Sequence, residues 1–364
     1  MRATNDRSRS ARPGAGPGRF LRTLNLLLIL LTLAAYAAPT VNPATSWHFS
    51  FLALSLPFLL VGNLFFFVFW LLGRHLFGVF SAVCLLVGYP YCLDLFVFHG
   101  ATDPTENDKT VTLMTYNLAG LKKMNGRRED KPAALLAGFR PFLDRHNRPD
   151  IFCVQEGSHP DVLYILSRAF GYQHAHRYKG TMILTDFPML DKGHVAFRSS
   201  ANSCAWADLL TPLGRVRVYA AHLESNALSH TADKIATQGD LSERQTWRDI
   251  RFVMRQYRKA VAVRAKQAET LAAHMAGCPY RVLLCGDLND PPASYVYRQL
   301  AAGRKDTFRE RGFGTGATFN GRLPALRIDY VLVNRQFEVL DHQVVRQTTF
   351  SDHFPVWTMI TRSP

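Results

Sequence analysis

Long apolar stretches fill the first hundred residues and differ from the short apolar runs that follow. No Asp, Glu, Lys or Arg occurs from Thr23 to Gly73, and after Arg74 the next is Asp94. A helix needs about 20 mostly apolar residues to cross about 30 Å of hydrocarbon. Three transmembrane helices are therefore predicted, at residues 25–38 (extendable back to residue 20), 49–72 and 76–98.

The first stretch also fits a cleavable signal peptide. A basic segment precedes it, and Ala35–Tyr36–Ala37 resembles a small-residue cleavage site. Two further apolar stretches follow, so a membrane protein is expected under either interpretation.

Beyond residue 110 the pattern changes to many short strands with a few helices. Alternating or short apolar runs predict strands at 111–116, 150–154, 181–184, 195–197, 205–210, 215–221, 281–285, 328–333 and 356–360. Helical spacing of apolar residues predicts helices at 131–146, 162–170 and 243–275. This mixture favours the α/β class: two packed β-sheets flanked by helices, a four-layer α/β sandwich, preceded by the three transmembrane helices.

The pattern divides the chain into four parts. Residues 1–19, rich in Arg, Gly, Pro and Ser, are expected to form a disordered basic tail, and residues 20–98 the membrane anchor. The polar residues 99–110 are expected to form a linker, and residues 111–364 the outer domain. A linker of this length reaches at most about 40 Å, so the outer domain is expected to work close to the bilayer.

Charge in the short loops predicts the orientation. The N-terminal arm carries Arg2, Arg7, Arg9, Arg12, Arg19 and Arg22. Residues 39–47 carry no charge, and the second loop carries Arg74. Because positive loops stay in the cytoplasm, the N-terminus is expected inside and the outer domain on the non-cytoplasmic side, in a periplasm or lumen.

Composition excludes several classes of protein. The chain has 43 Lys and Arg against 28 Asp and Glu, a net charge of +15, but only 20% charged residues. That excludes a disordered polyelectrolyte, a collagen-like chain and a small disulfide scaffold. A channel is disfavoured because the spans carry one acid, Asp94, and no polar pathway. The six cysteines have no metal-binding spacing; Cys204 and Cys278 are left as a pair or, preferably, as unpaired packing residues.

Polar residues gather where predicted strands begin or end. They are Asn117, Gln155, Glu156, His222, Asp287, Asn289, Asp329, Asp352 and His353. Each alone is more typical of a turn, a solvated side chain or a packed histidine. If the strand ends meet at one edge, however, carboxylates, carboxamides and imidazoles share one cleft. Oxygen ligands with few thiols favour Mg²⁺ or Mn²⁺ over zinc, and such a site suits hydrolysis of a phosphate ester.

Six short segments, in order, resemble the motifs of the endonuclease/exonuclease/phosphatase superfamily, in particular its deoxyribonuclease- and sphingomyelinase-like branches. The segments are Thr115–Tyr116–Asn117, Val154–Gln155–Glu156, Ala221–His222–Leu223, Gly286–Asp287–Leu288–Asn289, Arg327–Ile328–Asp329–Tyr330 and Ser351–Asp352–His353–Phe354–Pro355. The resemblance covers residues 111–361 and leaves the membrane anchor outside it.

The resemblance implies a role for each site residue. Glu156 is the principal ligand of a Mg²⁺ or Mn²⁺ ion, with Asn117 and Asp352 beside the metal. The catalytic residues are Asn117, His222, Asp287, Asn289, Asp329 and His353. Asp287 orients or deprotonates the attacking water, Asn289 and His353 contact the phosphate, and Asp329 orients His353. The choice of general base stays open.

The function expected from this resemblance is that of a membrane-anchored, divalent-metal-dependent phosphoesterase. Its substrate is a phosphodiester of lipid or nucleic acid, or a phosphomonoester, attacked directly by water. The alternative is a non-catalytic scaffold of the same fold that binds a polyanion or lipid.

One feature follows from spacing alone. Arg244, Arg248, Arg251, Arg255 and Arg258 recur every three or four residues on the predicted long helix, so they share one face. The face is interpreted either as a solvated basic surface or as a contact with anionic lipid or another polyanion.

Overall fold

The N-terminal region is a bundle of apolar helices. In this computed structural model, residues 17–197, 200–226, 240, 242–321, 326–347 and 350–362 are described. Helices α1 (Pro17–Ala37) and α2 (His48–Leu72) are each long and apolar enough to cross a membrane. Most of the predicted tail, including Arg2, Arg7, Arg9 and Arg12, lies outside the described residues.

The third predicted span is not one straight helix. Helices α3 (Gly78–Val87) and α4 (Tyr89–Leu95) are bent by 63° at Gly88. Pro90 follows at once and has no N–H for the helical ladder, and Tyr36 packs where a Cβ on Gly88 would lie. Two of the three predicted spans are thus single helices long and apolar enough to cross a membrane, and the third region passes the same test only if the bent pair counts as one segment.

The rest of the described chain builds two mixed six-stranded sheets. Sheet 1 has the order β13-β14-β2-β3-β5-β4 and sheet 2 the order β10-β12-β9-β8-β7-β6. In chain order the strands are β1 (Val97–Phe98), β2 (Thr110–Asn117), β3 (Ile151–Gln155), β4 (His174–Tyr178), β5 (Thr181–Thr185), β6 (Met189–Val195), β7 (Ser203–Thr211), β8 (Gly214–His222), β9 (Arg281–Asp287), β10 (Arg304–Asp306), β11 (Phe313–Gly314), β12 (Asp329–Asn334), β13 (Phe337–Val344) and β14 (Val356–Arg362). Among the described strand pairs, β2–β3 and β8–β9 are parallel and the others are antiparallel.

Helices cover the outer faces of both sheets. Helices α5 (Lys131–Leu143) and α6 (Pro160–Phe170) pack on sheet 1. Helices α7 (Arg244–Ala276) and α8 (Tyr295–Ala301) pack on sheet 2, and α9 (Thr307–Arg311) is a short helix beside it. A further cluster of buried apolar residues fills the space between the two sheets and includes Leu113, Ile151, Val218 and Leu283. The predicted architecture of two packed sheets flanked by helices is therefore confirmed.

The N-terminal helices are docked at one end on the domain that the two sheets form. Asn42, in the loop after α1, donates to Glu269 Oε1 at 2.7 Å, and Arg327 donates to the carbonyl of Asp94 at 3.0 Å. Strand β1, which follows α4, pairs with β11 of the domain. The segment that was predicted as a linker also bonds the domain, through His99 and Thr102.

All six cysteines lie in the described part of the chain and are free thiols. Cys153, Cys204 and Cys285 are buried among strands, where burial raises the pKa of the Cys204 thiol. They act as small core residues there.

Candidate active site

The strands bring the predicted site residues to one edge of the two sheets. Asn117 pairs with Gln155 across the parallel strands β2 and β3, and Glu156 is the next residue. On sheet 2, Asp287 pairs with His222 on one side and with Asp329 on the other. Strand β12 is antiparallel, so its beginning lies beside the ends of β8 and β9 and adds Asp329 to the group.

Asn117 links the two sheets. Its Nδ2 donates to Glu156 Oε1 at 3.1 Å and to Asp287 Oδ2 at 2.9 Å. Its Oδ1 accepts the N–H of Ala119 at 3.0 Å. One buried carboxamide therefore holds two carboxylates side by side, which offsets part of their mutual repulsion.

Two histidines face the carboxylate of Asp287. His222 Nε2 lies 3.8 Å from Asp287 Oδ2 and 3.8 Å from Glu156 Oε1. It has no hydrogen-bond partner among the described residues. His353 Nε2 also lies 3.8 Å from Asp287 Oδ2, and its Nδ1 bonds Asp329 Oδ2 at 2.9 Å.

The charges around His353 favour its protonated form. Burial alone lowers the pKa of this imidazole, but the carboxylates of Asp329 and Asp287 outweigh burial and raise the pKa to about 10. The ring is therefore a cation at neutral pH, with Nδ1–H fixed on Asp329 and Nε2–H directed toward Asp287.

Two site residues adopt the left-handed backbone conformation. Glu156 has φ 55° directly after β3, and Asn289 has φ 54° two residues after β9. The Asn289 N–H donates to Asp287 Oδ1 at 2.8 Å, and its side-chain Nδ2 donates to the carbonyl of Leu223 at 3.0 Å. Left-handed conformations are uncommon outside glycine and concentrate at functional sites, where surrounding contacts hold them.

The site opens into a cleft of about 420 Å³. Its polar wall is formed by Glu156, Asp287, Asn289, Asp352 and His353. Asn117, His222 and Asp329 are buried behind this wall and reach it through the contacts above. All eight predicted site residues thus lie in or directly behind one cleft.

The opposite wall is apolar and was not expected from the sequence. It contains Phe51 and Leu54 of α2 together with Val253, Met254 and Tyr257 of α7. Nothing in the apolar pattern of α2 distinguishes its first turns from the rest of a predicted span, so no sequence signal marked them.

Arg264 is a second feature that sequence reasoning missed. Its side chain is fully buried, with Nη1 donating to the carbonyl of Glu224 at 2.7 Å and Nη2 to Asp290 Oδ1 at 3.2 Å. The signal was present, because Arg264 falls on the apolar face of α7 between Tyr257 and Leu271. A charged residue at a core position is rarely unpaired.

The donor set suits a hard divalent cation. Among the described residues, Asp287, Asp329 and His353 form a group whose candidate ligand atoms lie within 4.8 Å of one another. This group differs from the predicted ligands Glu156, Asn117 and Asp352, because Asp329 and His353 are drawn together by their own hydrogen bond. The carboxylate of Glu156 remains open to the cleft, with 35% of its side chain exposed.

Two family models match the chain. The model of the endonuclease/exonuclease/phosphatase family matches residues 114–353, and that of a domain of unknown function matches residues 18–94. No curated protein matches the chain.

Several solved structures are similar to this chain. D. rerio TDP2 complexed with single-strand DNA product is 16% identical, covers 70% of this chain and 99% of its own, and has a TM-score of 0.49. The endonuclease/exonuclease/phosphatase from Beutenbergia cavernae is 19% identical, with 70% and 72% covered and a TM-score of 0.47. A mannosyl-6-phosphatase from Bacteroides thetaiotaomicron is 18% identical, with 69% and 99% covered and a TM-score of 0.45.

Proposed function

Because the chain belongs to the endonuclease/exonuclease/phosphatase family, a family of phosphoesterases, we propose that it is a membrane-anchored, divalent-metal-dependent phosphoesterase. It hydrolyses a phosphodiester of lipid or nucleic acid, or a phosphomonoester, by direct attack of water. One observation carries the proposal: a single carboxamide, Asn117, joins Glu156 and Asp287 across two sheets, beside two histidines.

The residues of the cleft fit a Mg²⁺ or Mn²⁺ ion. Glu156 and Asp352 offer carboxylates to the cleft, and Asn117 lies beside Glu156. The buried Nε2 of His222 and Oδ1 of Asp329 lack partners among the described residues, as expected where a ligand or water completes the site. Glu156, Asn117 and Asp352 would hold the ion, which when bound neutralises phosphate charge and makes water more acidic.

The remaining residues would act on the phosphate and the water. His353, held as a cation by Asp329, would donate from Nε2 to a phosphate oxygen as negative charge develops there. Asp287 would orient the attacking water or take its proton, so that a P–O bond forms from water as the ester P–O bond breaks. Asn289 has a second amide hydrogen free for the phosphate beyond its bond to Leu223.

A metal-dependence screen tests this function. The full chain in detergent would be supplied with Mg²⁺, Mn²⁺ or EDTA and offered DNA, RNA, sphingomyelin, phosphoinositides and nucleotide monoesters. We expect hydrolysis of at least one class with metal and none with EDTA. Turnover that persists in EDTA would contradict the metal assignment, and binding without turnover of any class would favour the scaffold alternative.

We further propose that the outer domain lies on the non-cytoplasmic side. Arg22 bonds His75 at 2.6 Å at one end of the helix bundle, so the positive residues gather there. The domain docks at the other end, through Asn42 and Asp94. The positive-inside rule supports a cytoplasmic location for the first end and a periplasmic or lumenal location for the second.

The arginine face of α7 is proposed to contact anionic lipid. Arg244, Arg248, Arg251, Arg255 and Arg258 are all exposed. Phe252, with 48% of its surface exposed, lies among them. Basic side chains mixed with exposed aromatic residues are typical of surfaces that rest on lipid headgroups.

A further inference from the structure

Part of the apolar wall of the cleft belongs to the proposed membrane anchor. Phe51 lies in the first turn of α2 and Leu54 in the next, and both face the same cleft as Asp287 and His353. The Tyr257 ring meets Phe51 edge-on, with ring centroids 6.3 Å apart at 85°. An anchor that served only to retain the domain would not need side chains in its reaction site.

The length of α2 determines where Phe51 and Leu54 lie relative to the bilayer. Its 25 residues extend about 37 Å at about 1.5 Å each, whereas the hydrocarbon layer is about 30 Å thick. The excess of about 7 Å, or roughly five residues, lies in the headgroup region if the cytoplasmic end is flush with the hydrocarbon. Phe51 and Leu54 then sit at the boundary between headgroups and acyl chains.

Two exposed aromatic side chains lie where the last N-terminal helix joins the domain. Phe98 and Phe313 contact each other edge-on at 5.5 Å, on the short β1–β11 pair that follows the last anchor helix. Phe98 is 71% exposed and Phe313 76%, so both rings leave apolar surface uncovered by the protein. Exposed aromatic residues next to a membrane-spanning segment favour contact with the lipid surface.

We propose that the cleft takes a phosphate ester that carries an apolar chain and comes from the bilayer. The chain lies against Phe51, Leu54 and Tyr257, while the phosphate reaches Asp287 and His353. This inference rests on the proposed hydrolase function and names its substrate class as lipid. Nucleic acid is disfavoured, because its charged backbone would have to lie against this apolar wall at the bilayer surface.

Matched pairs of probes test the chain-binding wall. The full chain in detergent would be given p-nitrophenyl dodecyl phosphate and p-nitrophenyl methyl phosphate, with dodecyl phosphate and methyl phosphate as monoesters, and a single-stranded oligonucleotide. We expect kcat/KM to favour the dodecyl over the methyl compound by at least about tenfold, since each buried methylene adds to the interaction. In Phe51→Ala and Leu54→Ala this ratio should fall about fivefold.

Phe65→Ala is the matched control, because Phe65 is an exposed phenylalanine of the same helix that lies away from the cleft. Thermal unfolding of each variant in the same detergent shows whether it folds. A ratio that is equal for the two chain lengths, or equally reduced in Phe51→Ala and Phe65→Ala, would overturn the inference. Preferred cleavage of the oligonucleotide would overturn it as well. No hydrolysis of any probe with Mg²⁺ or Mn²⁺ would instead contradict the hydrolase function, and this inference with it.

Discussion

Asn117 shows how one buried side chain organises the cleft. Both ends of its carboxamide are engaged, with Oδ1 on Ala119 and Nδ2 shared between Glu156 and Asp287. A carboxamide carries no charge, so its hydrogen bonds join the two carboxylates without neutralising them. The pair is therefore arranged to receive positive charge.

Glu156→Gln should remove most of the activity while the protein stays folded. The substitution keeps the shape of the side chain but removes the negative charge that would attract a divalent cation. The charge stabilisation that such a cation supplies is worth several kcal/mol in the transition state. We expect kcat/KM to fall at least about a hundredfold. Hydrolysis rates across a Mg²⁺ titration and the thermal unfolding temperature would be measured together. The control is Glu129→Gln, an exposed glutamate outside the cleft. Wild-type activity in Glu156→Gln would remove Glu156 from the metal site.

Asp329→Asn should lower kcat and move the alkaline limb of the pH–rate profile to lower pH. Asp329 raises the pKa of His353, so the protonated imidazole, which we propose is the active form, persists up to about pH 10. Without that carboxylate the pKa falls, and activity is lost earlier as pH rises. His353→Gln should be no worse when combined with Asp329→Asn, because the two residues act as a unit. An unshifted profile, or additive losses in the double variant, would separate Asp329 from His353.

The chemistry-bearing residues were predictable because they sit in short ordered motifs at strand ends. Asn117, Asp287 and His353 are each weak signals, but their order along the chain predicted that they share a cleft. Phe51 and Tyr257 were not predictable in the same way. Their part in the cleft comes from how the anchor docks, which depends on tertiary contacts such as Asn42 with Glu269.

Central strands carry a clear sequence pattern, whereas edge strands do not. The strands predicted at 111–116, 150–154 and 281–285 match β2, β3 and β9, which are buried on both faces. The edge strands β4, β10 and β13 were missed, and β6 was predicted at 195–197 rather than at Met189–Val195. Edge strands are partly exposed and rich in polar residues, so hydrophobic periodicity loses its signal there.

His342 gives β13 a pH-dependent contribution to stability. Burial lowers the pKa of this imidazole to about 3, although Asp306 opposes that shift. In the unfolded chain a histidine has a pKa near 6.5. Between about pH 6.5 and 3, His342 is therefore protonated in the unfolded chain but neutral in the folded protein. Stability should therefore fall on acidification through this window, by up to about 1.4 kcal/mol per pH unit.

The measurement is the thermal unfolding temperature in detergent from pH 7.5 to 4.5. His342→Gln should be less stable at pH 7.5, because it loses the bond to Thr307, yet its stability should fall less steeply with acid. His194→Gln, at an exposed position, is the control and should keep the wild-type slope. Parallel slopes for all three proteins would contradict the prediction, because they would show that unfolding adds no proton at His342.

The arginine face of α7 should be protected by anionic lipid. The full chain in nanodiscs with and without anionic lipid would be compared by hydrogen exchange over residues 244–258. We expect slower exchange with anionic lipid, and a smaller effect at high salt, where the Debye length is short. Replacing all five arginines with Gln should abolish the difference. Replacing Lys122, Lys123, Arg127, Arg145 and Arg335 with Gln removes the same charge elsewhere and should preserve it. Equal exchange in nanodiscs with and without anionic lipid would indicate that the arginine face of α7 contacts solvent and not lipid.

Because the N-terminal helices dock on the domain, the two would take one fixed orientation relative to a bilayer that the helices cross. The loop after α1 and the end of α4 both contact the domain, while Arg22 and His75 meet at the far end of the bundle. Residues 73–77 therefore lie at the far end and Asp94 at the docked end. If α1 and α2 cross the membrane, α3 and α4 must together return across it, in spite of their bend.

Reporter fusions should reveal this return. With the N-terminus in the cytoplasm, a reporter that is active only outside should work after Pro43, fail after Arg74 and work again after Pro364. A reporter that is active only in the cytoplasm should give the reverse pattern and serves as the control for expression. Activity of the outside reporter after Pro43 but not after Pro364 would mean that α3 and α4 enter and leave on the same side. The domain could then not dock on the outer end of α2, and Phe51 could not line the cleft. The number of crossings and the composition of the cleft wall are therefore decided by the same measurement.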